Sequence, residues 1–288
     1  MRRNEVELRR EQIEEFRQYL YERENARATI QKYISDIETF FNYLAGEAIV
    51  DKQKLLDYKE WLLRRYAVSS ANSMLAALNQ FLEFLELDFL KVKRIKVQKS
   101  LFLQEEKELT REEYRKLVQT ALAEGKEQLA LCMETIASTG IRISELEFFT
   151  VESIRRDYIE IVNKGKYRRI FLPKVLRQKL LFFARKNGIR RGAIFITRTG
   201  KKKCRSNIWR EMKALKEKAG INGNKIFPHN LRHLFARTYY SITKDLAGLG
   251  DLLGHSSLNV TRIYTSNTGK IYQKQLDLLG DIQIKMTT

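Results

Sequence analysis

The 288-residue sequence predicts an α+β fold, mainly α with a small antiparallel β-sheet, and three observations carry that prediction. Only 2 prolines and 14 glycines punctuate the chain, too few for a loop-rich or all-β protein. Apolar residues recur at helical spacing through most of the first 90 residues and again from 109 onward, the 3.6-residue rhythm of amphipathic helices. Between 151 and 172 that rhythm gives way to the short alternating runs "YIEIV" and "RRIFL", joined by "NKGKY". This is the signature of a hairpin turning at Gly165. At this length two domains, each with its own core, are the natural division.

Taken in order, residues 4–21 place Ile13, Phe16 and Leu20 on one helical face, and 26–45 place Ile30, Ile34, Ile37, Phe41 and Leu44 on another. "AGEAIV" interrupts at Gly46, after which amphipathic helices are expected over 51–65 and 69–87, the second carrying Met74, Leu78, Phe81 and Leu85. Residues 1–90 thus read as a four-helix domain. "KVKRIKVQK", 91–99, has no helical stripe and five cations, Lys91, Lys93, Arg94, Lys96 and Lys99. A solvated linker over 91–108 accounts for it, and those cations are also candidate phosphate contacts. The second domain, 109–288, opens on Thr110 with Glu113, the spacing of a capping box. Helices follow through 123 and over 126–139, and Gly140 suits a left-handed helix cap with Arg142 just beyond it. After the hairpin and Pro173 the chain returns to helix, with a short strand expected at "AIFI", 193–196. Pro228 suits the first turn of a helix through "PHNLRHLF". "KIYQKQLDLLGDI", 270–282, is expected to form a tail helix carrying Ile271, Leu276 and Leu279.

Charge narrows the partners. The chain holds 54 Lys+Arg against 35 Asp+Glu, a formal net charge of +19, which favours a polyanion through counterion release. Nucleic acid leads. No apolar run approaches the roughly 18 residues of a membrane span, and no signal-peptide pattern opens the sequence. Cys132 and Cys204 are isolated thiols, suggesting neither a disulfide framework nor a metal site and fitting a cytoplasmic setting.

Only three histidines occur, His229, His233 and His255. On a helix His229, Arg232 and His233 share one face. The two histidines have the i, i+4 spacing of a zinc helix, but Arg232 stands between them where a metal site would avoid a cation, and the glutamate of the zinc motif is missing. Taken singly, Arg142, Lys164 and Lys166 read as surface cations and Tyr264 as a packed aromatic. Together, "TGIRISEL", "NKGKYRR", "HNLRH", "LGHSS" and "TRIYT", in this order and at these separations, resemble the motif set of the tyrosine recombinase (phage integrase) family.

The resemblance implies a helical core-binding domain followed by a catalytic domain. It implies DNA strand cleavage and rejoining through a 3′-phosphotyrosyl intermediate, with Tyr264 as nucleophile, Arg142 and Arg232 on the phosphate, and His229 and His255 hydrogen-bonding it. Lys164 is implied to protonate the departing 5′-oxygen, with Lys166 as its alternative and His233 and Glu145 as supporting residues. No cofactor or metal is expected. The expected partner is double-stranded DNA, bound by a homo-tetramer of two dimers at paired sites that is monomeric when free, with a heteromeric recombinase or accessory protein as a further possible partner. The tail would dock on a neighbouring protomer or pack on its own domain. The short N-terminal half points to a two-domain recombinase, of the Xer type or from a mobile element. A type IB topoisomerase shares the tyrosine and cationic cluster, and a non-catalytic DNA-binding protein is the reading from a different class.

Overall fold

The structure, a computed structural model, describes residues 5–96, 107–163, 166–255, 257–261 and 264. The chain divides into two compact units, residues 1–99 and 100–288.

In the first unit the expected opening helix begins later than its apolar spacing suggests. Val6–Glu7 form a short strand, β1, paired antiparallel with β2 (Ile49–Val50), and α1 spans Gln12–Glu22. Helices α2 (Arg27–Leu44), α3 (Lys52–Arg65) and α4 (Val68–Phe84) follow. They close on an aromatic core in which Phe16 meets Phe81 edge-on at 5.2 Å and Phe40 meets Tyr58 at 4.9 Å, arrangements that add to plain area burial. Asp51 starts α3 by accepting the Lys54 N–H at 2.8 Å, a side-chain cap on an otherwise orphaned donor.

Residues 91–96 are not the free linker their composition suggests. Asn79 and Asn72 lie two turns apart on α4 and act as amide clamps on this extended segment. Asn79 Nδ2 donates to the Val92 carbonyl and its Oδ1 accepts the Val92 N–H, both at 2.8 Å. Asn72 makes the same pair with Ile95, at 2.9 and 2.8 Å. Val92 is buried against the first unit's core, and Lys91 is ion-paired with Glu83 and Asp88 at 2.7 and 2.5 Å. Hydrophobic anchors among the cations fix the strap; composition alone showed only the cations. Asn79→Ala will therefore leave a buried N–H and C=O unpaired and lower the stability of the first unit by about 1–3 kcal/mol. Trp61 lies in that unit and Trp209 in the other, so urea unfolding followed by Trp61 fluorescence in a Trp209→Phe background reads the effect; an unchanged midpoint would show that the clamps contribute nothing.

The second unit is organised around α6 (Glu127–Thr139), whose Leu129, Leu131, Cys132, Met133 and Ile136 are all buried. A helix apolar all round belongs at the centre of a core. It packs against α5 (Arg111–Ala123), α7 (Lys174–Lys186), α8 (Arg205–Lys213) and α10 (Pro228–Thr243). The capping box at α5 is present in both directions, Glu113 N–H to Thr110 Oγ1 at 3.1 Å and Thr110 N–H to Glu113 Oε2 at 2.8 Å. Strands β3 (Tyr158–Asn163) and β4 (Lys166–Phe171) form the antiparallel hairpin, Ile159 opposite Ile170. The strand expected at 193–196 is reduced to isolated bridges, Thr150 with Ala193 and Ile196 with Lys202. Helices α9 (Lys216–Ala219), α11 (Leu246–Leu253) and α12 (Leu258–Thr261) complete the described unit. Among the described residues no helix is long and apolar enough to cross a membrane. The expected tail helix, 270–282, lies outside the described residues.

Candidate active site

The site grows from two helix ends. Gly140 caps α6 in the left-handed region, φ 65°. A Cβ there would strike the Phe235 ring and approach Leu253 Cδ2 at 3.0 Å, so only glycine lets the chain turn this close to α10. Gly254 ends α11 in the same conformation, φ 62°. The last carbonyls of the two helices converge on Arg232, carried by α10. Arg232 Nη1 donates to the Gly140 carbonyl at 2.6 Å, and Nη2 donates to the Leu253 carbonyl at 2.7 Å. Helix C-termini are the negative ends of their dipoles, which helps hold a guanidinium only 1% exposed. Burial and the neighbouring Arg142 and Arg168 pull its pKa down to about 10, leaving it charged at neutral pH.

The third Arg232 contact fixes a tautomer. Nη2 also lies 3.1 Å from His255 Nε2. Arginine has no acceptor, so Nε2 must carry the lone pair. His255 Nδ1 then bears the proton and donates it to Thr261 Oγ1 at 2.9 Å. Burial first, then Arg232 and Arg142, hold the His255 pKa down at about 4, so the ring is neutral at pH 7.

Arg142 sits at the start of a 3-10 turn over Ile143–Phe148. Its backbone N–H donates to Glu145 Oε2 at 2.7 Å and its Nη1 reaches Glu145 Oε1 at 3.3 Å. Its side chain remains 45% exposed, and with Ser144, Arg205, Ser206, Trp209 and His229 it lines an open groove of about 510 Å³. His229 and His233 rings meet edge-on at 4.6 Å, as one helical face requires. Burial, with nearby arginines, lowers the pKa of both, His233 to about 4. Tyr264 closes the cluster, its ring 5.3 Å from His233 and stacked on His255 at 6.5 Å with 13° between planes. Burial raises the phenol pKa, while Arg232, Arg237 and Arg142 pull it back. Among the described residues no group of three or more His, Cys, Asp or Glu is placed to hold a metal ion.

The structure thus brings together Arg142, Glu145, His229, Arg232, His233, His255 and Tyr264. Lys164 and Lys99 lie outside the described residues, and Lys166 is placed only as the first residue of β4. Lys93, Arg94 and Lys96 are exposed on the strap of the first unit, whereas Lys91 is tied to acidic partners there. Sequence reasoning missed Arg168 and Thr261. Arg168 was detectable: it shares the strand parity of buried Ile170, and a cation on the inward face of a hairpin calls for a partner. Thr261 gave no such signal.

A buried arginine fork and a half-exposed arginine, flanked by neutral histidines beside a tyrosine, have the chemistry to hold a phosphate next to a hydroxyl nucleophile. Comparison with known proteins agrees. Residues 107–270 match the phage integrase family, and residues 13–87 match the phage integrase N-terminal SAM-like domain; the chain belongs to this family. It is 29% identical over 275 residues to tyrosine recombinase XerA of Pyrococcus furiosus, covering 92% of this chain and 93% of that one. It is 26% identical over 268 residues to tyrosine recombinase XerD of Vibrio cholerae, covering 85% and 87%. In fold it resembles a lambda integrase dimer bound to a COC′ core site, with TM-score 0.76 and 19% identity over 99% of this chain and 81% of that one. It also resembles XerH bound to its difH substrate before cleavage, with TM-score 0.67 and 20% identity over 96% and 85%. The protein is a tyrosine recombinase, an enzyme of DNA cleavage and rejoining, and the topoisomerase and non-catalytic alternatives are not favoured.

Proposed function

We propose that Tyr264 is the nucleophile of site-specific strand exchange on duplex DNA, attacking the scissile phosphodiester while Arg142 and Arg232 hold its non-bridging oxygens. The observation that carries this is Arg232: a buried guanidinium anchored from behind by two helix-end carbonyls and joined to His255 beside the Tyr264 ring. A free phenol with pKa near 10 is only about 0.1% ionised at pH 7, a penalty of roughly 4 kcal/mol for phenolate attack. Cations at the phosphate and near the phenol offset it. Neutral His229 donates to the phosphate, His255, whose one N–H goes to Thr261, takes part through its Nε2 as a proton acceptor, and Lys164, or Lys166 beside it, protonates the departing 5′-oxygen.

The first unit, with Lys93, Arg94 and Lys96 on its strap, adds phosphate contacts on the same duplex. Four copies act together, as two dimers at paired sites, an arrangement supported by structural relatives that include a lambda integrase tetramer on a Holliday junction. Covalent capture tests the reading. Wild-type protein incubated with a randomised pool of nicked suicide duplexes will retain DNA joined through a 3′-phosphate, and EDTA will leave the yield unchanged. Attachment through a 5′-phosphate, or no capture at all, would sink it.

A further inference from the structure

Arg168 has no part in that reading, yet it shares a hydrogen-bond acceptor with each of the two arginines that do. Its side chain, 9% exposed, runs inward from β4. Nη2 donates to Glu145 Oε2 at 2.7 Å, and Nη1 donates to the Leu253 carbonyl. The same Glu145 oxygen accepts the Arg142 N–H, and the same Leu253 carbonyl accepts Arg232 Nη2. One guanidinium therefore spans the carboxylate that holds Arg142 and the carbonyl that holds Arg232. The path is built for it: a Cβ on Gly254 would lie 2.7 Å from Arg168 Cδ, so the glycine that caps α11 also clears the way for this side chain.

We propose that Arg168 is a positioning residue that locks Arg142 and Arg232 in register, tying the β3–β4 hairpin to the phosphate site. The proposal rests on the functional reading above. Without Arg168, the buried Glu145 side chain loses a partner and draws Arg142 toward itself and away from the phosphate, while the Leu253 carbonyl loses one of its two arginine donors. Both clamps then loosen together. A structural ion pair that only neutralised Glu145 would instead affect folding and leave the chemistry of the folded fraction alone.

The distinguishing quantity is sensitivity to charge on the scissile phosphate. On a nicked duplex recovered by the wild-type capture, the single-turnover rate of adduct formation is measured for wild type, Arg168→Met and Arg168→Lys. A matched duplex carries a neutral methylphosphonate at the scissile position. Arginines that grip non-bridging oxygens matter most when those oxygens carry charge. Arg168→Met is expected to slow cleavage of the phosphate about 10²-fold, and the defect is expected to shrink about tenfold or more on the methylphosphonate. Arg168→Lys, which keeps the charge but cannot reach both acceptors, should fall between. Equal slowing on both substrates, or an unchanged rate per folded molecule, would overturn the proposal. If Arg168→Met fails to fold, the same ratio read on Arg168→Lys decides. An adduct that survives Tyr264→Phe would instead defeat the functional reading, independently of Arg168.

Discussion

Tyr264→Phe will form no covalent adduct with DNA, a loss of about 10⁴-fold or more in cleavage, while it folds and binds duplex as wild type does. The ring supplies the packing, 5.3 Å from His233 and stacked on His255, and phenylalanine keeps the ring. What disappears is the hydroxyl proposed to attack. No cation moves, so affinity for duplex and its steep dependence on salt, set by phosphate neutralisation, should persist. Denaturing gel analysis of the captured suicide duplex reads the adduct, and fluorescence anisotropy reads the binding. The two measurements separate a lost nucleophile from a damaged site. An adduct of wild-type yield would move the nucleophile to another residue, with Tyr272 the first to substitute, and would recast Tyr264 as the packed aromatic that most tyrosines are.

What could be foreseen from the sequence was whatever depends on local chemistry. Gly140 had to be a left-handed cap and Pro228 a first-turn residue because few alternatives suit either; the structure has both. The hairpin announced itself by alternation, and His229, Arg232 and His233 by helical phase. Longer-range contacts left weaker traces. The strap at 91–96 read as solvated because its cations outnumber its anchors, yet Val92 and the two asparagines of α4 decide its course. Nothing in the local spacing marks the start of the opening helix, because Val6 and Glu7 are claimed by strand pairing with Val50 and Ile49, more than 40 positions away in the chain. The order of the motifs revealed the family, but not that Arg232 is anchored by two helix ends or that it fixes the His255 tautomer, with Thr261 on the other ring nitrogen. Those are properties of the packed unit.

Arg232→Lys is the stricter test of that packing, because it preserves charge and removes only the fork. Arg232 meets the Gly140 carbonyl, the Leu253 carbonyl and His255 Nε2 from two nitrogens held in one plane. A lysine ammonium is a single point on a flexible stem and cannot satisfy two helix-end carbonyls while also facing a phosphate and a histidine. It will settle on the carbonyls, where the helix dipoles draw it, and retreat from the phosphate. Cleavage should fall about 10²–10³-fold, the loss that follows removal of one preorganised donor from a developing charge, equivalent to about 3–4 kcal/mol. Equilibrium binding of duplex should change little, since net charge is unaltered. His255 supplies a second readout: relieved of its Arg232 donor, Nε2 becomes free to take a proton, so its pKa, held down near 4 in the wild type, should rise when followed by NMR, but only part of the way, since burial, the largest cause of the shift, and Arg142 remain. Wild-type cleavage by Arg232→Lys would mean that charge alone suffices at this position and that the helix-end anchoring serves the fold rather than the reaction.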